Sequence, residues 1–144
     1  MRLRGALTVG IVLAASALAP AADDFVVIVH ASLPGSTVRR ADLAAIFLKK
    51  APRWGAGGVA IPVDQSGTSP VRGAFSQAVL GMPVATVVQY WQKQMFGATP
   101  LRPPFVKGSD ADVIAFVAET PGAVGYVSRA TALPAGVKAL DVID

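Results

Sequence analysis

The run Phe25–His30, FVVIVH, constrains the fold more than any other stretch of the chain. It is apolar and rich in β-branched residues, of strand length, with no polar side chain before its last residue. A strand presents alternate residues to opposite faces, so this run predicts a strand covered on both sides, as in layered α/β folds. Beyond it the hydrophobic period alternates between helix and strand. In RRADLAAIFLKK, Leu43, Ile46 and Phe47 recur at helical spacing, and Lys49-Lys50 suits the negative end of a helix dipole. Residues 59–64, VAIPVD, predict a second strand, which Pro62 restricts to an edge, an end or a bulge. Val71, Phe75, Ala78 and Val79 predict a helix to about Leu80, stopped by Gly81. Residues 83–96 predict another, with Pro83 near its first position and Val87, Tyr90, Trp91 and Met95 on one side. The prolines at 100, 103 and 104 make residues 97–108 an extended connector. Ser109 then caps a helix, Asp110 and Asp112 complement its dipole, and Val113, Phe116 and Val117 point inward. Ala123–Ser128 and residues 137–142 predict the last two strands. The alternation implies α/β layering, with a mixed, mostly parallel sheet flanked by helices.

The chain has 144 residues, which bounds it to one domain. Its first residues are expected not to belong to that domain. Arg2 and Arg4 precede an apolar stretch from Ala6 to Ala19, followed by small residues, the layout of a secretory signal peptide. Ala19-Pro20-Ala21 fits a cleavage site, so residues 1–21 are expected to be a leader and 22–144 the mature domain, periplasmic or secreted. The alternative is a retained anchor, but the apolar core is shorter than the roughly 20 residues a membrane span needs. Removing the leader changes the charge: 13 Lys+Arg against 9 Asp+Glu becomes 11 against 9, and +4 becomes +2. That balance suits a small anion but is too dispersed to argue for nucleic acid. The absence of cysteine rules out disulfides, and with a single histidine it excludes the usual zinc constellations. No metal and no cofactor is expected.

In open α/β sheets ligands gather beyond the carboxyl ends of strands. Two loops qualify: one after FVVIVH, carrying Ser32, and one after VAIPVD, reading Asp64-Gln65-Ser66-Gly67-Thr68-Ser69-Pro70. In the second, Ser66 and Thr68 offer hydroxyls and Gly67 lets backbone approach a ligand without a Cβ in the way. The following helix adds unpaired N–H groups, a combination suited to a tetrahedral oxyanion. The same letters also describe a plain helix start, with Ser69 as N-cap and Pro70 at the first position. Asp64 either accepts a hydrogen bond from a protonated ligand oxygen or caps the turn locally. Arg72, in the first turn, either reaches an anion or is solvated. His30 has no Ser or Asp partner at a recognisable catalytic spacing, and no nucleophile–base pair is visible, so the chain is read as a non-enzyme.

Four segments in order resemble the phosphate-binding periplasmic proteins of ABC transporters. LAAIFLKKAPRW is similar to their L-x-x-I-F-x-G…W motif, VDQSGTSPVRGAF to their D-x-S-G-T…F loop, and TPGAVGYVS to their P-G-A-I-G-Y-V strand. The helix from Ser109 falls where that family has the one feeding this strand. The resemblance implies a single-lobe, type 2 periplasmic-binding-protein-like domain, with Ser66, Gly67 and Thr68 as oxyanion ligands and Asp64 reading a protonated oxygen. It further implies weak or vestigial phosphate binding, a link to ABC-type uptake, and a membrane transporter or sensor as partner. Two departures stand out: Pro62 replaces the Arg expected two residues before the aspartate, and Lys49 replaces a motif glycine. The mature length amounts to one of that family's two lobes, so a homodimer is one way to supply the missing half. The rival expectation is an interaction module that keeps the lobe without the ligand.

Overall fold

The computed structural model describes residues 24–144; the expected leader lies outside the described residues. Strand β1 is Phe25–His30, followed by β2 (Thr37–Arg39), α1 (Arg40–Phe47) and β3 (Ile61–Gln65). Next come α2 (Pro70–Phe75), running on into a π-helical turn (Ser76–Leu80), and α3 (Val84–Met95). The chain closes with β4 (Phe105–Lys107), α4 (Asp110–Glu119), β5 (Ala123–Ser128) and β6 (Val137–Ile143). They form one six-stranded sheet in the order β2-β6-β1-β5-β3-β4. The pairs β2/β6, β3/β5 and β3/β4 are parallel, whereas β1 runs antiparallel to both its neighbours, β5 and β6. The sheet is therefore mixed, with three of its five pairings parallel.

Helices cover both faces, and this explains the apolar continuity of β1. Val27 and Val29 point into one core with Leu43, Phe47, Phe75 and Tyr126; Ile28 points into the other with Val63, Val113 and Val117 of α4. On the first face, Phe75 stacks on Tyr126 with ring centroids 4.0 Å apart, and Phe25 and Phe47 close in at 5.5 and 4.6 Å from Phe75. On the second, α4 lies so close to the sheet that Gly125 has no room for a side chain. A Cβ there would meet Val113 Cγ1 at 2.6 Å and Val63 Cγ1 at 2.8 Å.

Two short strands lie where the sequence pattern predicts none, β2 just before the first helix and β4 in the extended connector. β2 and β4 are three residues each and sit at the two edges of the sheet, too brief to show alternation. Pro62 lies inside β3, at a local edge. Ile61 N–H donates to Gly122 O on the β5 side (3.0 Å), so the nitrogen of Pro62 points the other way, where pairing with β4 begins only at Val63. Phe116 packs, partly buried, against the second core and 5.5 Å from Phe105, whereas Met95, set by the pattern on the same side as Val87 and Trp91, is exposed. Among the described residues no single helix is long and apolar enough to cross a membrane.

Lys49, at the end of α1, is the single non-glycine residue with positive φ among the described residues, at 60°. The left-handed conformation crowds a Cβ, which explains why the similar motif carries glycine here. Lys49→Gly is expected to stabilise the domain by about 1 kcal/mol, read as a higher denaturation midpoint with unchanged m-value. Gly125→Ala is expected to destabilise by about 1–3 kcal/mol through overpacking. Gly55→Ala, where a Cβ meets nothing within 4 Å, serves as its near-neutral control in the same urea titration.

Candidate functional site

Parallel pairing of β3 with β4 and β5 brings their carboxyl ends together, and antiparallel β1 places its amino end beside them. A cleft of about 800 Å³ opens there, walled by Ser66, Thr68, Ser69 and Val71 on one side and by Ser109, Asp110, Ser128 and Arg129 on the other. Ser66 Oγ and Thr68 Oγ1 lie 3.2 Å apart. Ser66 N–H is engaged by Lys107 O (3.0 Å), and Ser69 N–H folds back to Ser66 O (2.9 Å). Among the described residues, the N–H groups of Gly67, Thr68 and Val71 donate to no protein acceptor. Gly67 itself has an ordinary φ and open space where a Cβ would stand, so neither strain nor crowding explains it.

Ser69 occupies the N-cap position of α2 in extended conformation, with Pro70 next, yet its side chain makes no cap hydrogen bond. Its hydroxyl donates instead to Gln65 Oε1 at 2.8 Å. The plain helix start is thus half right: the position is a cap, and the hydroxyl is directed elsewhere.

Asp64 and Arg72 lie beneath the loop rather than on the cleft wall. Asp64 is buried; its Oδ1 accepts from the Tyr126 hydroxyl and from Gln65 N–H (2.9 Å), and its Oδ2 faces Arg72 Nη2 at 3.5 Å. Arg72 Nη1 also donates to Gln65 O at 2.9 Å. Asp64 therefore has its oxygens engaged within the protein, and Arg72 is neither solvated nor aimed into the cleft. Burial pushes the Tyr126 phenol far above its ordinary value, and the Asp64 carboxylate adds to the rise. Tyr126 accordingly stays protonated, a donor to Asp64, at neutral pH.

Ser32 is at the other end of the sheet. Because β1 runs antiparallel to β5, and β3 parallel to it, the loop after β1 leaves the edge opposite the cleft. There Ser32 pairs locally with His30, its Oγ 2.7 Å from Nδ1 and its N–H donating to the same nitrogen at 3.1 Å. Both loops follow the carboxyl ends of strands, but β1 and β3 run in opposite directions, so the two loops open at opposite ends of the sheet.

The sequence pattern misses several residues of the cleft. Asp110 reads as a dipole residue, yet its carboxylate binds across to β5 and beyond: Oδ2 accepts from Ser128 N–H (3.0 Å) and the Thr131 hydroxyl (2.7 Å). Ser109 does cap α4, accepting from Asp112 N–H at 3.2 Å. Arg129, which also donates to Phe25 O at 3.0 Å, follows β5 with no signal beyond its place after a strand end. Among the described residues no cluster of His, Asp or Glu is arranged to hold a metal ion.

No family model matches the sequence, and no curated protein does either. Solved structures do match. A Vibrio cholerae ABC-type phosphate transport receptor aligns with TM-score 0.63 at 17% identity, over 83% of this chain and 46% of its own. The fold is that of one phosphate-binding-protein lobe. PstS from Borrelia burgdorferi gives 0.62 at 15% identity, over 83% and 47%. A Clostridium perfringens protein assigned as a phosphate ABC transporter substrate-binding protein, solved with phosphate bound, gives 0.62 at 19%, over 83% and 44%. The chain spans less than half the length of these structures it matches, and over that span it has the type 2 periplasmic-binding-protein-like fold.

The Tyr126–Asp64 bond predicts alkaline sensitivity. The folded phenol titrates above the unfolded value of 10.0, so its contribution is complete below pH 10 and is lost as pH rises toward the folded value. Unfolding free energy should fall above pH 10 by up to about 1.4 kcal/mol per pH unit for this one group, and by less in Tyr126→Phe. Arg72→Ala, which leaves the buried Asp64 without its cation, should cost about 3 kcal/mol by urea denaturation.

Proposed function

We propose that the domain is an exported, non-enzymatic binding module that holds phosphate or a similar oxyanion weakly on the 66–68 loop, in the service of ABC-type phosphate uptake. The observation that carries this reading is the pair of hydroxyls on Ser66 and Thr68, 3.2 Å apart at the cleft, beside backbone N–H groups of Gly67 and Thr68 that serve no protein acceptor. Buried donors left unmade are costly, while donors at the mouth of a cleft are available to an anion. The names of the structural neighbours, a phosphate transport receptor and a protein solved with phosphate, support phosphate as the anion. Arg129 supplies positive charge on the facing wall, and Asp24 and Asp110 on the same walls favour a ligand that carries a proton.

Weak binding is proposed from the openness of the loop. Gly67 and Thr68 are exposed, so an anion held there stays in contact with solvent and its electrostatic contacts stay screened. Export rests on the leader-like residues 1–21. The non-enzymatic reading rests on where the Ser–His contact lies: Ser32 and His30 are two residues apart, at the end of the sheet away from the cleft.

A second reading, an interaction module, is favoured by apolar side chains left in solvent. Phe96 at the end of α3 is 86% exposed, and edge strand β4 presents Phe105 and Val106. A transporter, a sensor or a second copy of this chain would be the partner.

Phosphate titration decides between them. At ten times its dissociation constant a ligand adds about 1.4 kcal/mol, roughly 5 °C of melting temperature for a domain this size. Wild type is expected to show that shift in millimolar phosphate, and Ser66→Ala with Thr68→Ala to abolish it. No shift with phosphate, arsenate or sulfate sinks the binding reading, and concentration-dependent mass by light scattering then supports association.

A further inference from the structure

Gln65, the last residue of β3, is 2% exposed and ranks among the largest fully buried side chains. A buried primary amide without partners is strongly disfavoured, and here every polar atom is satisfied. Nε2 donates to Asp110 Oδ1 at 2.7 Å and to Tyr126 O at 2.9 Å, and Oε1 accepts from Ser69 Oγ at 2.8 Å. One side chain therefore ties together the strand before the loop, the residue just after it, the start of α4, and β5. Its main chain is held equally firmly, the carbonyl by Arg72 and the N–H by Asp64 and Tyr126. Residues 66–68 are the arc between the two ends of the Gln65–Ser69 bond. They have few anchors of their own: Ser66 N–H to Lys107 O, the Ser69 N–H to Ser66 O turn, and the contact between the Ser66 and Thr68 hydroxyls.

We propose that Gln65 is the positioning residue of the 66–68 loop. Its buried amide draws the Ser69 hydroxyl away from capping α2 and fixes both ends of the arc, so that Ser66 and Thr68 face the cleft. The same amide holds the Asp110 carboxylate: Oδ1 is engaged by Gln65 and Oδ2 by Ser128 and Thr131. Asp110 is thereby pinned to the far wall instead of swinging toward the loop hydroxyls. This role rests on the oxyanion-binding reading for its purpose but not for its geometry.

The test uses Gln65→Met, close in volume and unable to make any of these bonds, with two readouts. In ligand-free protein, the 15N order parameters of Gly67 and Thr68 should fall from about 0.85 to below about 0.6, while those of β1 and β5 stay unchanged. Inorganic phosphate should bind at least tenfold more weakly. Gln65→Glu keeps an acceptor for Ser69 but sets a second carboxylate against Asp110. Such a pair shares a proton at lower pH and repels at higher pH, so loop order should be retained at pH 5.5 and lost at pH 8, a difference absent from wild type. Ser69→Ala, which removes one tie only, should loosen the loop to a smaller degree and covers the case that Gln65→Met fails to fold. Unchanged order parameters in Gln65→Met, or in Ser69→Ala where the former is unfolded, overturn the proposal. A wild-type protein that ignores phosphate overturns the binding reading alone, because the order-parameter measurement decides positioning without ligand.

Discussion

The buried contact between Tyr126 and Asp64 is the point on which the rest of this molecule depends. Asp64 is a carboxylate inside a sheet, and an ion in that place persists only when its charge is matched and its oxygens are hydrogen-bonded. Tyr126 from β5 and Arg72 from α2 meet that requirement from two directions, and Gln65 N–H adds a third donor. The Tyr126 ring in turn stacks on Phe75, at the centre of the aromatic cluster. A single ionised group thus registers β3 against β5, fixes the rotation of α2, and couples the polar end of the sheet to its apolar middle.

Much of the fold was legible because burial, rather than hydrogen-bond direction, is what sequence patterns encode. FVVIVH reads correctly as a strand covered on both faces, since Val27 and Val29 enter one core and Ile28 the other. It carries no sign of strand direction, and β1 is antiparallel to both neighbours. That one unreadable property moves Ser32 to the opposite end of the molecule. The short edge strands were hidden for a different reason: three residues are fewer than the period needs to repeat. Lys49 shows the reverse case, in which a position that resembles a motif glycine has a left-handed backbone although a lysine stands there.

The placement of some candidate residues at the cleft was legible in outline. Ser66 and Thr68 stand at the cleft, as a hydroxyl-rich loop after a strand suggests, and Ser109 caps α4. What the sequence could not distinguish is whether a polar residue faces outward to a ligand or inward to the fold. Asp64 and Arg72 turned inward to each other, while Asp110, which looks like a dipole residue, spans to β5 and Thr131. These contacts tie together residues from separate elements, and local spacing does not contain them.

The register of the outermost strand pair has a further consequence. Val63 lies opposite Phe105, so continuing the ladder one step backward would set Pro62 against Pro104. Pro62 is the one that faces β4, and it has no N–H to give to the carbonyl of Pro103. That missing donor is a stop, holding the pairing to its three residues and keeping the connector before β4 from zipping onto the sheet. An exposed apolar edge is a template for unwanted strand addition, and here it is kept short by one proline that leaves the next rung without its donor.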